Sequence, residues 1–303
     1  MKNSISFLPA LACSLALFST AHAKLTVVAT LPVFAVLATE IGGDNVEVTS
    51  LAKPTEDPHF VDARPSFVIK LRSADVLIEG GAELEAGWLP PLLTNARNAK
   101  IATGQPGRVV ASKGIRLLNV RANASRAEGD VHASGNPHFF TDPIIAKIIA
   151  QNIAQAFSTI DASNGALYQT RYKRFEATID AKLQEWGKAM LPFKGTNVVA
   201  YHDSWAYFAR RFGFTIDTFL EPKPGIPPSP SHLAAVIAKM KAANSKAIIV
   251  EPFHNRKIAE KVAGSTGAKV VGLAQYPGAL PGTETYVTLI DALVSHLAAA
   301  LKD

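Results

Sequence analysis

The sequence predicts an α/β fold built on parallel sheets. In both halves of the chain, short runs rich in β-branched residues alternate with helical apolar patterns. Such alternation is typical of parallel strands with helices packed on the faces of their sheet. Near the middle, one unusually long helical pattern separates the two alternating regions.

The N-terminal half has six predicted elements before a long loop. In order they are strand Leu25 to Ala29, helix Val33 to Ile41, strand Val46 to Leu51, helix Pro65 to Leu71, strand Ala74 to Ile78 and helix Glu83 to Leu93. The pair Gly80-Gly81 ends the third strand, and Pro90-Pro91 interrupts the third helix. Residues 103–137 show little periodicity, apart from a possible short strand at 115–120. We interpret this region as a functional loop that leads to His138.

The centre of the chain predicts two consecutive helices. The first pattern covers Pro143 to Ile160, and the second runs from about Asn164 to Met190. At ~1.5 Å per residue, the second helix is roughly 40 Å long, which exceeds the width of a small domain. It is therefore either a long surface helix or a rigid connector between two lobes, and the pattern alone supports both.

The C-terminal half repeats the alternation. The predicted elements are strand Asn197 to Tyr201, helix Trp205 to Phe212, strand Phe214 to Phe219, helix Ser231 to Ala243, strand Ala247 to Val250, helix Asn255 to Ala263, strand Lys269 to Leu273 and helix Tyr286 to Leu301. A second α/β unit is thus expected.

The first 23 residues are typical of a secretory signal peptide. Lys2 supplies the positive charge, residues 7–18 the apolar core, and Ala21-His22-Ala23 a small-x-small cleavage site. The core is shorter than the about 20 residues that a transmembrane helix needs. Lipid attachment at Cys13 is disfavoured because Ala10 stands where a larger aliphatic residue is usual. We expect cleavage after Ala23 and a periplasmic product.

The mature composition excludes several classes of function. Cleavage leaves 280 of the 303 residues, which is enough for two domains. It also removes the single cysteine, so thiolate catalysis and cysteine-ligated metal sites are excluded. Without Lys2, 30 basic residues face 25 acidic ones, a net charge of +5. These charges are scattered, which argues against binding to nucleic acids.

Three histidines in predicted loops indicate a metal site. His59 and His138 each follow a proline, and His202 follows the apolar run Asn197 to Tyr201. Strand ends and loops before helices are where α/β folds bind ligands. Neutral imidazole is a common ligand for borderline metals. Any one of these histidines could serve only a structural role, but together they predict a site in a crevice between lobes.

Glu251 is the leading acidic candidate because it ends a buried strand, where an unpaired charge is costly. It is interpreted as a carboxylate ligand or as a partner of a histidine N–H. The alternative is a helix N-terminal carboxylate that the helix dipole favours. Weaker candidates for the site are Glu221, Asp217 and His132. Residues interpreted as loop caps or braces are Asp57, Asp142 and Asp203, and histidines given no role are His232, His254 and His296.

The chain resembles a known family, the metal-binding solute-binding proteins of bacterial zinc and manganese ABC importers. Within this family it resembles the zinc-binding members. The matching stretches are Asp57-Pro58-His59, Arg64-Pro65-Ser66 through Ser73-Ala74-Asp75, Gly81 to Glu85, Asn136-Pro137-His138 to Asp142-Pro143, His202-Asp203-Ser204 with Tyr207-Phe208, and Glu251-Pro252. The resemblance implies two α/β lobes, 24–160 and 193–303, joined by one long rigid helix at 161–192. It also implies metal bound in the cleft.

In this resemblance His59, His138 and His202 match the family's histidine ligands. Two features depart from it: the aspartate of many members is replaced around Ala274-Gln275, and the long histidine-rich loop is absent, which leaves only His132 there. The fourth ligand is therefore Glu251, Glu221 or water.

The sequence thus predicts a monomeric, non-enzymatic protein that binds Zn²⁺ with high affinity in the periplasm and delivers it to an ABC importer permease in the inner membrane. Three nitrogen ligands with at most one oxygen favour zinc over manganese. The alternatives are a manganese-binding member of the family and a secreted zinc hydrolase with Glu56 or Glu251 as general base. A surface adhesin is a third possibility, for which no anchor is expected.

Overall fold

The structure is a computed structural model that describes residues 23–121 and 132–302. Except for Ala23, the predicted signal peptide lies outside the described residues. Within the described ranges, none of the helices combines the length and the apolar character that crossing a membrane requires.

The first sheet has four parallel strands in the order β2-β1-β3-β4. Its strands are β1 (Leu25–Ala29), β2 (Val46–Ser50), β3 (Val76–Glu79) and β4 (Arg108–Val110), and the helices of this half are α1 (Pro32–Gly42), α2 (Pro65–Ser73), α3 (Leu89–Ala96) and α4 (Pro143–Ile160). Val27, Val28 and Ala29 of the central strand β1 are at most 1% exposed. A parallel strand covered on both faces needs such a continuous apolar run, because water reaches neither side.

The second sheet has three parallel strands in the order β5-β6-β7. Its strands are β5 (Val198–Ala200), β6 (Ala247–Val250) and β7 (Lys269–Gly272), and the helices of this half are α6 (Ala206–Phe212), α7 (Pro230–Ala242), α8 (Arg256–Thr266) and α9 (Tyr286–Leu301). Two all-parallel sheets with one long helix confirm the predicted fold class. The predicted strand at Phe214 to Phe219 is wrong, because this segment forms only isolated bridges at Thr215 and Phe219.

The long helix α5 (Gly165–Met190) packs against elements of both halves. It contacts α1 and α4 of the first half and α9 of the second. The Trp186 indole N–H donates to Asp291 of α9 at 2.8 Å. The buried apolar core is continuous from Leu25 in β1 to Leu301 in α9. One face of the helix is therefore buried against both halves, while its opposite face is exposed to solvent.

The segment between β3 and α3 differs from the predicted helix at Glu83 to Leu93. Ala82 and Glu83 have φ angles of 53° and 66°, which a right-handed helix does not allow. Helix α3 begins at Leu89, and Pro90-Pro91 lies in its first turn, where a missing N–H costs nothing. The prolines therefore begin the helix instead of interrupting it.

Asp142 connects the two halves next to the predicted histidine loops. It caps α4 by accepting from the Ile144 N–H at 2.9 Å, as predicted. It also accepts from Nε and a terminal nitrogen of Arg211 in α6 at 2.7 and 2.9 Å. Its side chain is fully buried, whereas that of Arg211 is 30% exposed. Since α4 follows His138 and α6 follows His202, this ion pair fixes the two loops relative to each other.

Replacing Asp142 with asparagine should lower the free energy of unfolding by about 3 kcal/mol, the lower end of the range for breaking a buried ion pair. Asparagine caps a helix about as well as aspartate, so the loss reports on the contact with Arg211. Urea denaturation followed by circular dichroism measures it. The matched control is Asp180→Asn, which breaks a contact of 2.7 Å with Lys147 at a side chain that is 55% exposed. This control should cost less than about 1 kcal/mol; equal losses in both variants would contradict the structural role of Asp142.

Candidate metal centre

Three of the four predicted metal ligands converge. His59, His138 and His202, called the histidine trio below, each offer a ring nitrogen, and these atoms all lie within 4.8 Å of one another. The Nε2 atoms of His59 and His138 are 3.2 Å apart. Glu251 is not part of this group, which is the one set of three or more potential ligands within the described residues. The arrangement can hold one divalent ion through three nitrogens.

His59 is positioned by the loop that follows β2. Its backbone N–H donates to the Asp57 carboxylate at 2.9 Å, which closes a tight turn across Pro58. The Trp88 indole N–H donates to the Pro58 carbonyl at 2.9 Å and fastens this turn to the segment before α3. These two hydrogen bonds fix the backbone from which the His59 ring projects.

His138 is positioned by Asn136. The Asn136 Nδ2 donates to the carbonyl of Asp203 at 2.7 Å, which requires the other amide atom to be the oxygen. That oxygen lies 3.0 Å from both the backbone N–H and Nδ1 of His138. Since an amide oxygen only accepts, Nδ1 carries the proton and the lone pair of Nε2 faces the trio. Asn136 therefore sets the tautomer of His138 and ties its loop to the residue after His202.

His202 follows β5, and Glu221 sets its orientation. The Nδ1 of His202 lies 2.9 Å from Oε2 of Glu221. The same oxygen accepts from the Gly225 N–H at 3.3 Å, within the proline-rich loop that follows. A carboxylate on Nδ1 leaves Nε2 of the ring available to an ion and makes the imidazole a stronger ligand. Glu221, a weaker candidate from sequence, thus acts behind a histidine.

Burial and neighbours shift the pKa values of the trio in different directions. Burial, reinforced by the other histidines, lowers the pKa of His59 and of His138 well below the ordinary value. Burial also acts to lower the pKa of His202, but the hydrogen bond and the charge of Glu221 outweigh it and raise this pKa. Two of the three rings are therefore neutral at pH 7 and able to ligate.

Glu251 lies at the end of β6, beside the trio rather than in it. It is 1% exposed, and its Oε1 accepts from the Trp205 indole N–H at 2.8 Å. Burial raises the pKa of Glu251 to about 7. Among the weaker candidates, Asp217 is 61% exposed at its side chain and pairs with Lys239, whereas the His132 ring stacks on His59 at 5.0 Å.

Sequence reasoning missed His254. Its ring stacks on Tyr201 with centres 4.3 Å apart, and it lies 6.0 Å from the His202 ring. The signal in the sequence is its spacing from Glu251. His254 follows Glu251 by three residues, just after a buried strand, which places the two side chains close together.

A cavity of about 160 Å³ adjoins the trio. Its walls include His132, His138 and His202 together with Asp203, Glu221 and Lys223. Water occupies about 30 Å³ per molecule in the liquid, so the cavity admits an ion with part of its hydration shell. It is smaller than the roughly 300–1,000 Å³ that sites for organic ligands occupy. The cavity is therefore large enough for an ion with bound water.

Sequence comparisons identify the class as substrate-binding proteins of metal ABC transporters. Over residues 27–300 the sequence matches the family described as ZnuA, zinc-uptake complex component A, periplasmic. The chain belongs to this family. Its members are substrate-binding transport proteins, which confirms the prediction that the protein is not an enzyme and rules out the hydrolase.

Relatives with several metals in their names are similar along most of the chain. The iron-binding protein YfeA of Yersinia pestis is 27% identical over 286 residues, covering 91% of this chain and 86% of YfeA. The iron ABC transporter substrate-binding lipoprotein MtsA of Streptococcus pyogenes is 26% identical and covers 86% and 82%. The manganese ABC transporter substrate-binding lipoprotein PsaA of Streptococcus mitis is 24% identical and covers 75% and 72%. The family is thus clear, and the metal is not fixed by these names.

Solved structures show the same fold. A crystal structure of ZnuA superposes with a TM-score of 0.77 at 23% identity and covers 91% of this chain and 98% of its own. The laminin-binding protein Lmb of Streptococcus agalactiae, described as bifunctional with adhesin and metal-transporting activity, has a TM-score of 0.75 at 26% identity and covers 92% and 100%. Both likenesses extend over the two sheets and the long helix.

Replacing Glu221 with glutamine should weaken metal binding by about 10–100-fold, the usual cost of losing an outer partner of a histidine ligand. Glutamine can still contact Nδ1 of His202 but no longer supplies a negative charge. Isothermal titration calorimetry with Zn²⁺ measures the change. The matched control is Glu260→Gln, which removes an exposed carboxylate that pairs with Arg256 at 2.9 Å. An affinity equal to that of the control would refute the proposed role of Glu221.

Proposed function

We propose that this protein captures Zn²⁺ in the periplasm with high affinity and delivers it to the permease of an ABC importer in the inner membrane. The observation that carries the proposal is the convergence of three imidazole nitrogens, within 4.8 Å, from three separate loops. Outer partners hold two of these rings so that a nitrogen lone pair faces inward. A site fixed in this way before binding loses little entropy when the ion arrives.

The donor set is the argument for zinc. Imidazole suits borderline ions such as Zn²⁺, whereas Mn²⁺ prefers carboxylate, carbonyl and water oxygens. The group of converging ligands contains three histidines and no carboxylate among the described residues. A manganese-binding protein of the same family is the alternative, and the name of PsaA gives it weight.

For the fourth ligand, water fits better than either glutamate. The Glu251 carboxylate is held by Trp205, and the Glu221 carboxylate by His202. Neither carboxylate places an oxygen within the group of converging ligand atoms, so neither reaches an ion bound by the trio without moving. We therefore propose that His59, His138 and His202 bind the ion and that Glu251 supports the site electrostatically from behind.

The remaining proposals concern the form of the protein in the cell. One chain supplies all three histidines of the trio, so a monomer suffices for binding. Release of residues 1–23 after Ala23 would give a periplasmic product, although MtsA and PsaA are named lipoproteins. The lobes 24–160 and 193–303, connected by 161–192, would present the loaded cleft to the permease.

Untagged wild-type protein purified without a chelator should carry zinc, and His202→Ala should not. Loss of a direct ligand should weaken binding by more than the roughly 10–100-fold that loss of an outer partner causes. Metal analysis of the purified protein and calorimetry with Zn²⁺ measure both effects.

The control for this experiment is His296→Ala, which removes an exposed histidine of α9. Both the control and the wild type should bind zinc equally. Manganese in place of zinc in the purified protein would support the alternative metal, and unchanged binding in His202→Ala would refute the site.

Zinc affinity should decrease as the solution becomes more acidic. A protonated imidazole cannot ligate, so protons compete with the ion at each ring. Because the pKa of His202 is raised, competition there begins at a higher pH than at an ordinary histidine, whereas His59 and His138 take up protons only at lower pH. In Glu221→Gln the decrease should begin at lower pH, since the charge that raises the His202 pKa is gone. Competition with a zinc-binding dye between about pH 8 and about pH 5 tests this; an onset in the variant at the same or a higher pH would argue against the assignment.

A further inference from the structure

A second pair of potential ligands faces inward beside the trio. Oε2 of Glu251 and Nε2 of His254 are 3.7 Å apart, and the two side chains are 0% and 10% exposed. Within the described part of the chain, neither atom has a hydrogen-bond partner. Buried polar atoms without partners are rare because each loses its contacts with water, so the pair calls for a ligand.

Local structure fixes both side chains. The backbone N–H of His254 donates to the Glu251 carbonyl at 3.1 Å, forming a turn that places the two side chains on the same side. The His254 ring lies flat on Tyr201, with an angle of 11° between the rings. The second carboxylate oxygen of Glu251 is held by Trp205. The two unpartnered atoms therefore face each other across a defined gap.

The gap does not suit a hydrogen bond or an ordinary ion pair. A separation of 3.7 Å exceeds the length of an N–H···O hydrogen bond. Burial lowers the pKa of His254 to about 3, so its ring is uncharged at neutral pH. Two ligands bound to one zinc ion at ~2.0–2.2 Å lie about 3.4 Å apart in tetrahedral geometry. The observed separation needs only a slightly wider angle at the ion.

We propose that Glu251 and His254 form a second position for a borderline divalent cation such as Zn²⁺, directly beside the histidine trio. Water completes its coordination. The centre of the His254 ring is 6.0 Å from that of His202, so two bound cations repel each other at short range. With two protein ligands instead of three, this position binds more weakly than the trio and is filled second. A second ion can therefore bind in the cleft while the trio is occupied.

Equilibrium dialysis of the untagged full-length protein against increasing Zn²⁺ tests this inference. Wild-type protein should bind a first ion tightly and a second one more weakly. His254→Gln should lose the second ion and keep the first. The matched control His296→Gln, at an exposed position of α9, should keep both.

A second variant separates this position from the trio. In the double variant His59→Ala, His138→Ala, the tight ion should be lost and the weak one retained. A folded His254→Gln that still binds two ions would overturn the second position. A wild type that binds only one weak ion, which His254→Gln then loses, would instead refute the proposed function and leave the second position standing; a single ion that His254→Gln retains would overturn the second position.

Discussion

The candidate metal centre depends on three imidazoles that are buried together with their ring nitrogens facing one another. Nε2 of His59 and Nε2 of His138 are 3.2 Å apart. Because Asn136 fixes the proton of His138 on Nδ1, the facing nitrogen of that ring offers only a lone pair. A cation between the rings satisfies the lone pairs of all three at once. Burial favours a metal cation over a proton at this position. It lowers the pKa values of His59 and His138, so a proton is disfavoured as the charge between the rings.

Several contacts outside the trio maintain this geometry, and they connect the two halves. Asn136 donates to the carbonyl of Asp203, and Asp142 pairs with Arg211 across the same boundary. The apolar core also continues from one half to the other along α5. A large apolar interface opposes free rotation of domains. The Glu221 carboxylate joins the proline-rich loop to His202, so an ion bound at His202 would act on this loop through Glu221.

Much of the fold and part of the site followed from the sequence. The strands Leu25–Ala29 and Ala247–Val250 and the helix Gly165–Met190 were predictable because their apolar patterns are long or uninterrupted and end at clear boundaries. Strand β4 was missed because it has only three residues and begins with Arg108. The helix predicted from Glu83 failed because left-handed residues are set by tertiary contacts, which a pattern of apolar spacing does not record. Convergence of the trio was a sound inference, whereas its outer partners, such as Asn136 for His138, depend on side-chain directions that spacing cannot supply.

The position of Glu251 explains why a fourth ligand was difficult to assign from sequence. A carboxylate after a buried strand is equally consistent with a ligand, a partner of a ligand or a structural acceptor, and the structure gives one of its oxygens to Trp205. Three neutral imidazoles carry no negative charge, so the direct ligands do not balance the charge of a bound divalent ion. In the proposed site, the Glu221 carboxylate at 2.9 Å from Nδ1 of His202 is placed to balance this charge without coordinating the ion. In the proposed function this separation would keep a nitrogen-only set of protein ligands, which suits zinc, while the buried charge would still be neutralised at short range.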